Sequence, residues 1–316
     1  MADENQGFLG AIWETIKTIF WALIIAGVFR TLLFQPFWIP SSSMKDTLLV
    51  GDFLFVNKMA YGYSYASCPS LKLAQFGIDI DAEDICGFLD GDNSRIIGSQ
   101  PERGDVVVFR HPVSHQDYIK RLIGLPGDTV AMEDGVVVLN GAALAREDAG
   151  HADIAMGPNT ACRSDGGVVV DGGTVCRYRQ FRETLPSGES YMTVDFGAVG
   201  ARFLTDGDGG LSLDASGAPL RIDPDNIAPV VVPEGKLFVM GDNRDHSADS
   251  RELNHSRGLL GPIPLENIGG RAEFITFSLD GTTTINPISW WTSLREGRAW
   301  STLRPAIAER KPAPER

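Results

Sequence analysis

The sequence predicts a mostly β protein, in which an apolar N-terminal helix precedes a strand-rich core that carries a smaller inserted β-domain. Three observations lead there. Asp52–Val56, Asp105–Phe109 and Lys236–Met240 are short apolar runs rich in β-branched and aromatic residues, and each has a Gly-Asp pair at one end, which is strand beside turn. The 35 glycines and 18 prolines are scattered through 316 residues without period, so elements are short and turns frequent. Between Pro40 and Pro287 no stretch sustains the 3.6-residue periodicity of a long helix.

The N-terminal element comes first. Ile16–Trp38 is apolar apart from Lys17, Arg30 and a few small polar groups, and is long enough to cross a bilayer, with Arg30 near its far end where it can reach headgroups. Residues 1–38 are therefore expected to form a transmembrane anchor; a buried or amphipathic helix is the alternative. A cleaved leader fits less well, because Asp3, Glu4 and Glu14 oppose Lys17 and no A-x-A site follows the apolar run.

Beyond it, residues 39–130 and 233–280 read as two parts of one core. Between them, residues 131–232 hold 15 acidic residues against seven arginines and no lysine, a net charge of −8, with many Gly-rich turns. This stretch is expected to be an inserted β-rich domain with an acidic surface. Residues 281–316 form a tail in which Trp290, Trp291 and Trp300 mix with Arg295 and Arg298, a composition suited to a membrane surface.

With 41 acidic and 28 basic residues the chain carries a net charge of −13, which repels a phosphate backbone, so nucleic acid is not an expected partner. The four cysteines fall into two local pairs, Cys68 with Cys86 and Cys162 with Cys176, without C-x-x-C or zinc spacing to histidine. Short loops close most readily, so these pairs are the disulfide candidates in an oxidising compartment; four free thiols in the cytosol are the alternative.

The chemistry emerges partly by elimination. There is no G-x-S-x-G elbow, H-E-x-x-H helix, Walker A loop or dinucleotide fingerprint. His111 and His115 have helical spacing, but Pro112 lies between them, so no metal site is expected. Lys120 stands out among seven lysines because strand alternation places it on one face with Tyr118 and Leu122. There an amine loses solvation and becomes a possible base for a serine hydroxyl, although a lysine snorkelling from a strand edge gives the same pattern. A hydroxyl cluster, Ser41, Ser42 and Ser43, follows the apolar segment directly after Pro40.

Five segments in order make the pattern specific: I-P-S-S-S-M at Ile39–Met44, Gly51-Asp52 with Val56-Asn57-Lys58, R-G-D-V-V-V-F-R at Arg103–Arg110, Y-I-K-R-L-I-G-L-P-G-D from Tyr118, and G-D-N-R-D-H-S-A-D-S-R at Gly241–Arg251. In this arrangement the chain resembles the bacterial type I signal peptidases, or leader peptidases, from about Phe34 to Ala272 outside the insert. The resemblance implies an antiparallel-sheet Ser-Lys peptidase core in a single-pass inner-membrane protein with its catalytic domain on the periplasmic side. It implies a serine endopeptidase that removes signal peptides from exported preproteins after small residues at −1 and −3, with preproteins and membrane lipid as partners and no metal or organic cofactor.

Position by position, Ser43 matches the nucleophile and Lys120 the general base. Ser41 matches the hydroxyl that joins the Ser43 N–H in the oxyanion hole, and Ser247 the hydroxyl that orients the lysine. Asp249 and Arg251 match a supporting ion pair, while Tyr118 and Met44 match walls of the site and substrate pocket. Three features depart from the family pattern: Ser42 where glycine is frequent, Asp46 where proline is frequent, and extra residues between Arg251 and Gly261. A membrane-anchored periplasmic interaction module of the same fold without activity remains the alternative function.

Overall fold

The computed structural model describes residues 2–32, 34–68, 71–73, 78–80, 84, 87, 98–160, 162, 167–197, 202–203, 212–213, 216, 218–253 and 258–307. Helix α1 (Ala2–Leu32) opens the chain. Strand β1 (Phe34–Trp38) follows and pairs antiparallel with β2 (Asp52–Asn57), from Phe34 opposite Asn57 to Trp38 opposite Phe53. The apolar run Ile16–Trp38 is thus divided between two elements. Pro36 explains the division: it disfavours the helical conformation at Gln35 and has no N–H to continue a helix.

Among the described residues no helix is long and apolar enough to cross a membrane. This corrects the expected transmembrane anchor over residues 1–38, together with the single-pass inner-membrane placement and periplasmic catalytic domain that depended on it. Within α1, Glu14 and Lys17 pair at 3.4 Å.

The mostly β antiparallel core is present. Its further strands are β3 (Val106–Arg110), β4 (Asp117–Gly124), and, beyond a long excursion, the later strands described below. The excursion contains β5 (Thr129–Glu133), β6 (Val136–Leu139), β7 (Ala142–Ala143), β8 (Ala145–Ala155), β9 (Val168–Val170), β10 (Val175–Thr184), β11 (Glu189–Val194) and β12 (Ile227–Val231). The chain then returns through β13 (Lys236–Met240), β14 (Ile263–Pro264) and β15 (Ile268–Ser278), and ends with the short helix α2 (Pro287–Thr292) and β16 (Ala306–Ile307).

The core sheet has the order β1-β2-β15-β3-β4-β13-β14. Strand β15 enters between β2 and β3, and β13 lies beside β4 with Val239 opposite Leu122. All five residues of β3 are buried because both faces of the sheet are covered, so its valines form a continuous apolar run rather than an alternating one. Val106 and Val108 pack with Ile39, Met44 and Leu54 on one face; Val107 and Phe109 pack with Leu122, Val239 and Ile263 on the other. A second sheet has the order β8-β10-β11-β16 with β9 beside β10, and a third runs β12-β5-β6-β7. The tail strand β16 therefore completes a sheet built from residues more than a hundred positions earlier.

Candidate active site

The core topology gathers three remote segments: the turn leaving β1, the middle of β4 and the loop leaving β13. The turn begins at Ile39, whose N–H donates to the Asp52 carbonyl at 2.9 Å, and tightens where Lys45 N–H donates to the Ser42 carbonyl at 3.0 Å. Ser43 lies in that turn and Lys120 on β4, both buried. The Lys120 ammonium donates to Ser43 Oγ at 2.8 Å and to the Ile119 carbonyl at 2.9 Å. Ser41 Oγ lies 3.5 Å from Ser43 Oγ.

Burial pulls the Lys120 ammonium down to about 8 from its ordinary 10.5; the Asp249 and Asp242 carboxylates oppose the shift and Arg251 adds to it. A lysine so placed exists partly as the neutral amine near neutral pH. It can then take a proton from the hydroxyl it touches. The aromatic ring of Tyr118 stands 5.6 Å from the ammonium, across the same strand face. Met44, expected as a wall of the substrate pocket, is wholly buried with Ile39 and Leu48.

The loop after β13 closes the other side. Gly241 passes so close to the Ser43 turn that a Cβ there would lie 2.5 Å from the Ser43 carbonyl and 2.2 Å from Ser247 Oγ. Asn243 fixes the approach, its backbone N–H donating to the Ser43 carbonyl and its side-chain amide to the Ser42 carbonyl, each at 3.1 Å. Ser247 lines the cleft, and its buried hydroxyl has no hydrogen-bond partner among the described residues. Arg251 and Asp249 pair at 2.9 Å, and the same carboxylate accepts the Gly241 N–H at 2.8 Å. Burial pushes the Asp249 carboxyl up, but Arg251 and these N–H donors outweigh it and hold it below the usual carboxylate range.

Cys162 and Cys176, 14 positions apart in sequence, are joined as a disulfide. Cys86 lies outside the described residues, so the Cys68 to Cys86 pairing does too.

Several groups beside Ser43 were not singled out from sequence. Arg121 and Asp242 form a buried ion pair at 2.6 Å, and Asp242 also accepts from the Thr47 hydroxyl at 2.5 Å. The same alternation that puts Lys120 on one face of β4 puts Arg121 on the other, where a buried guanidinium demands a carboxylate. That signal was readable. Arg244 and Glu183 pair through two bonds of 2.5 Å each, and Ser42 Oγ meets His246 Nδ1 at 3.1 Å; no local pattern announces either.

A cleft of about 810 Å³ opens over Ser43 and Lys120, walled by Phe37, Ile39, Ile119, Asn159, His246 and Ala248. An antiparallel β core that holds a serine hydroxyl against a buried lysine at the floor of an open groove suits a serine hydrolase of the signal-peptidase kind. The sequence agrees over most of its length: the family profile described as "Signal peptidase, peptidase S26" matches residues 12–277. The chain belongs to that family.

Among curated relatives, a protein called signal peptidase I from Rickettsia typhi (strain ATCC VR-144 / Wilmington) is 35% identical over 292 residues, 92% of this chain and 87% of the relative. Another of the same name from Rickettsia akari (strain Hartford) is 34% identical over 283 residues, covering 88% and 83% respectively. A crystal structure of a signal peptidase I from Enterococcus faecalis V583 matches 55% of this chain and 97% of its own at 23% identity, with a TM-score of 0.25, too loose a superposition to inform the geometry here.

Proposed function

We propose that this chain is a serine endopeptidase that removes N-terminal signal peptides from exported preproteins, cutting after small residues at −1 and −3. The observation that carries the reading is the 2.8 Å bond from a buried lysine amine to a serine hydroxyl at the floor of an open cleft. Ser43 attacks the scissile carbonyl while Lys120 accepts its proton. The resulting oxyanion is held by the Ser43 N–H and the Ser41 hydroxyl, where one such donor contributes roughly 2.7–4 kcal/mol to the barrier reduction. Lys120 returns the proton to the leaving amine, then activates the water that releases the acyl-enzyme.

Asp249 and Arg251 keep the 241–251 loop against the nucleophile turn, with Ser247 and Tyr118 facing the lysine's surroundings. Phe37, Ile39 and Ile119 narrow the cleft beside Ser43, which favours small side chains next to the scissile bond by exclusion of larger ones. The family also supports preproteins and membrane lipid as partners, and the exposed indoles of Trp290 and Trp291 supply a surface for the latter.

A cleavage assay tests the reading. Full-length protein should process a preprotein with Ala at −1 and −3, Ser43→Ala should abolish processing, and Leu at −1 of the substrate should block it. Undiminished cutting of the Leu substrate would refute the pocket assignment. Cleavage by Ser43→Ala would refute the nucleophile.

A further inference from the structure

The turn that carries Ser43 is gripped at two successive residues by the second sheet. The Lys45 ammonium donates to the Tyr178 hydroxyl at 2.8 Å and lies 4.3 Å from the centre of its ring. Both side chains are buried, at 3% and 1% exposure. The next residue, Asp46, accepts a hydrogen bond from the Gln180 side-chain amide. Tyr178 and Gln180 are two apart on β10, so they project from the same strand face. Lys45 and Asp46 are the first residues beyond Met44, and Lys45 N–H closes the turn onto the Ser42 carbonyl at 3.0 Å.

The strand that does the gripping is itself well anchored. Tyr178 packs in a small core with Ala152, Cys162, Cys176 and Val194, and the Cys162–Cys176 bridge ties β10 two residues upstream of Tyr178. Across β10, Gln180 pairs with Val194 of β11. Val194 N–H donates to the Asp242 carbonyl at 2.9 Å, one residue before Asn243, whose N–H holds the Ser43 carbonyl at 3.1 Å. Both ways of holding the Ser43 turn therefore lead back to the same pair of strands.

We propose that the second sheet positions the nucleophile: Tyr178 and Gln180 of β10, acting through Lys45 and Asp46, set where Ser43 Oγ stands relative to Lys120. This rests on the Ser43–Lys120 reading above and assigns to the acidic excursion a part in the reaction. Tyr178 and Gln180 touch no reacting atom. They are positioning residues, and their effect is on chemistry rather than on substrate affinity.

The test uses full-length Tyr178→Phe, Lys45→Met, the double variant and Gln180→Ala, with a peptide substrate bearing Ala at −1 and −3. Tyr178→Phe and Lys45→Met should each lower kcat by about tenfold with KM nearly unchanged, since a small misplacement of a reacting group costs this order of rate. Their pH profiles should move too: a displaced Ser43 turn lets water reach Lys120, so the half-maximal point rises from about 8 toward lysine's ordinary 10.5. The double variant should recover kcat to within about threefold of wild type, because exchanging both partners for apolar groups of similar shape is nearly neutral. Gln180→Ala, at a half-buried position, should show a smaller kcat loss in the same direction and is the measure to use if Tyr178→Phe does not fold.

Wild-type kcat and an unmoved pH profile in both Tyr178→Phe and Gln180→Ala would overturn the positioning role. So would kcat losses that follow the unfolded fraction while the profile stays in place. Wild-type protein that cleaves nothing would instead overturn the Ser-Lys reading, and the positioning role with it.

Discussion

Arg121 and Asp242 form a two-pronged ion pair directly beneath the Ser43 turn, Nε to Oδ1 at 2.7 Å and Nη2 to Oδ2 at 2.6 Å, with both residues buried. The guanidinium also donates to the Gly104 carbonyl at 2.7 Å and to the Thr47 hydroxyl at 3.2 Å. Burial disfavours the charged guanidinium, yet the adjacent Asp242 carboxylate more than reverses this. Removing one partner strands the other charge in a low-dielectric interior. Asp242→Asn is therefore expected to cost about 3–5 kcal/mol in urea unfolding, whereas Arg121→Met together with Asp242→Leu should cost less than either single change. A loss within about 1 kcal/mol for Asp242→Asn would show that solvent reaches the pair.

The Cys162–Cys176 bridge closes a short loop onto β10 of the second sheet. Replacing both cysteines by serine frees the unfolded chain and is expected to lower stability by about 3 kcal/mol. The same substitution should lower the kcat of signal-peptide cleavage, since Tyr178 shares a packing cluster with both sulfurs. Unchanged unfolding midpoints under oxidising conditions would count against a bridge in solution.

Strand alternation around Lys120, the hydroxyl cluster after Pro40 and the Gly-Asp turns were legible because each is a local pattern with a local cause. The fate of Ile16–Trp38 was not. Its hydropathy is continuous, but Phe34–Trp38 is drawn into the core sheet by pairing with β2, from Trp38 opposite Phe53 to Phe34 opposite Asn57, partners that no local pattern names. Met44 enters the site only through the family resemblance, and its burial is decided by Leu54, Val106 and Ile275 from three strands, which no local pattern announces. Lys45 with Tyr178 and Ser42 with His246 join residues 133 and 204 positions apart, and nothing in either local sequence names the partner.

The tail offers a surface for contact with lipid. Asn286 caps α2, its side-chain oxygen accepting the Ile288 N–H at 3.0 Å, and the short helix holds Trp290 and Trp291 at 58% and 78% exposure beside a fully exposed Ile285. The arginines behind them face inward: Arg298 pairs with the buried Asp52 at 2.5 Å and Arg295 donates to the Val50 carbonyl at 2.9 Å. The indoles are thus presented outward on a base tied to the residues that follow the Ser43 turn, an arrangement suited to the headgroup layer. Brominated lipid vesicles should quench the emission of these two residues, and Trp290→Phe with Trp291→Phe should remove that quenched component. Equal quenching in the double variant would place the lipid contact elsewhere.

Lys120 links stability and activity with opposite signs. Its amine titrates near 8 in the folded chain and near the ordinary 10.5 when unfolded, because burial penalises the charged form. Between about pH 8 and 10.5 the unfolded state binds more protons, so stability should rise with pH through that window; below about 8 the full penalty applies. Lys120→Met removes the penalty and should stabilise the protein at neutral pH by about 1–3 kcal/mol, the lost bonds to Ser43 and Ile119 offsetting part of the gain. Cleavage should be lost in that variant. The wild-type rate at low substrate should climb about tenfold per pH unit below about 8 and level off above it, as the neutral amine becomes the dominant form. Lys120→Arg keeps a positive charge but cannot lose its proton, so it should fold and lose nearly all cleavage, as should Ser43→Ala; combining the two should be no worse than either. A wild-type rate independent of pH from about 6 to 8, or substantial cleavage by Lys120→Arg together with its loss in His246→Ala, would transfer the proton-accepting role from the lysine to the imidazole that stands 3.1 Å from Ser42.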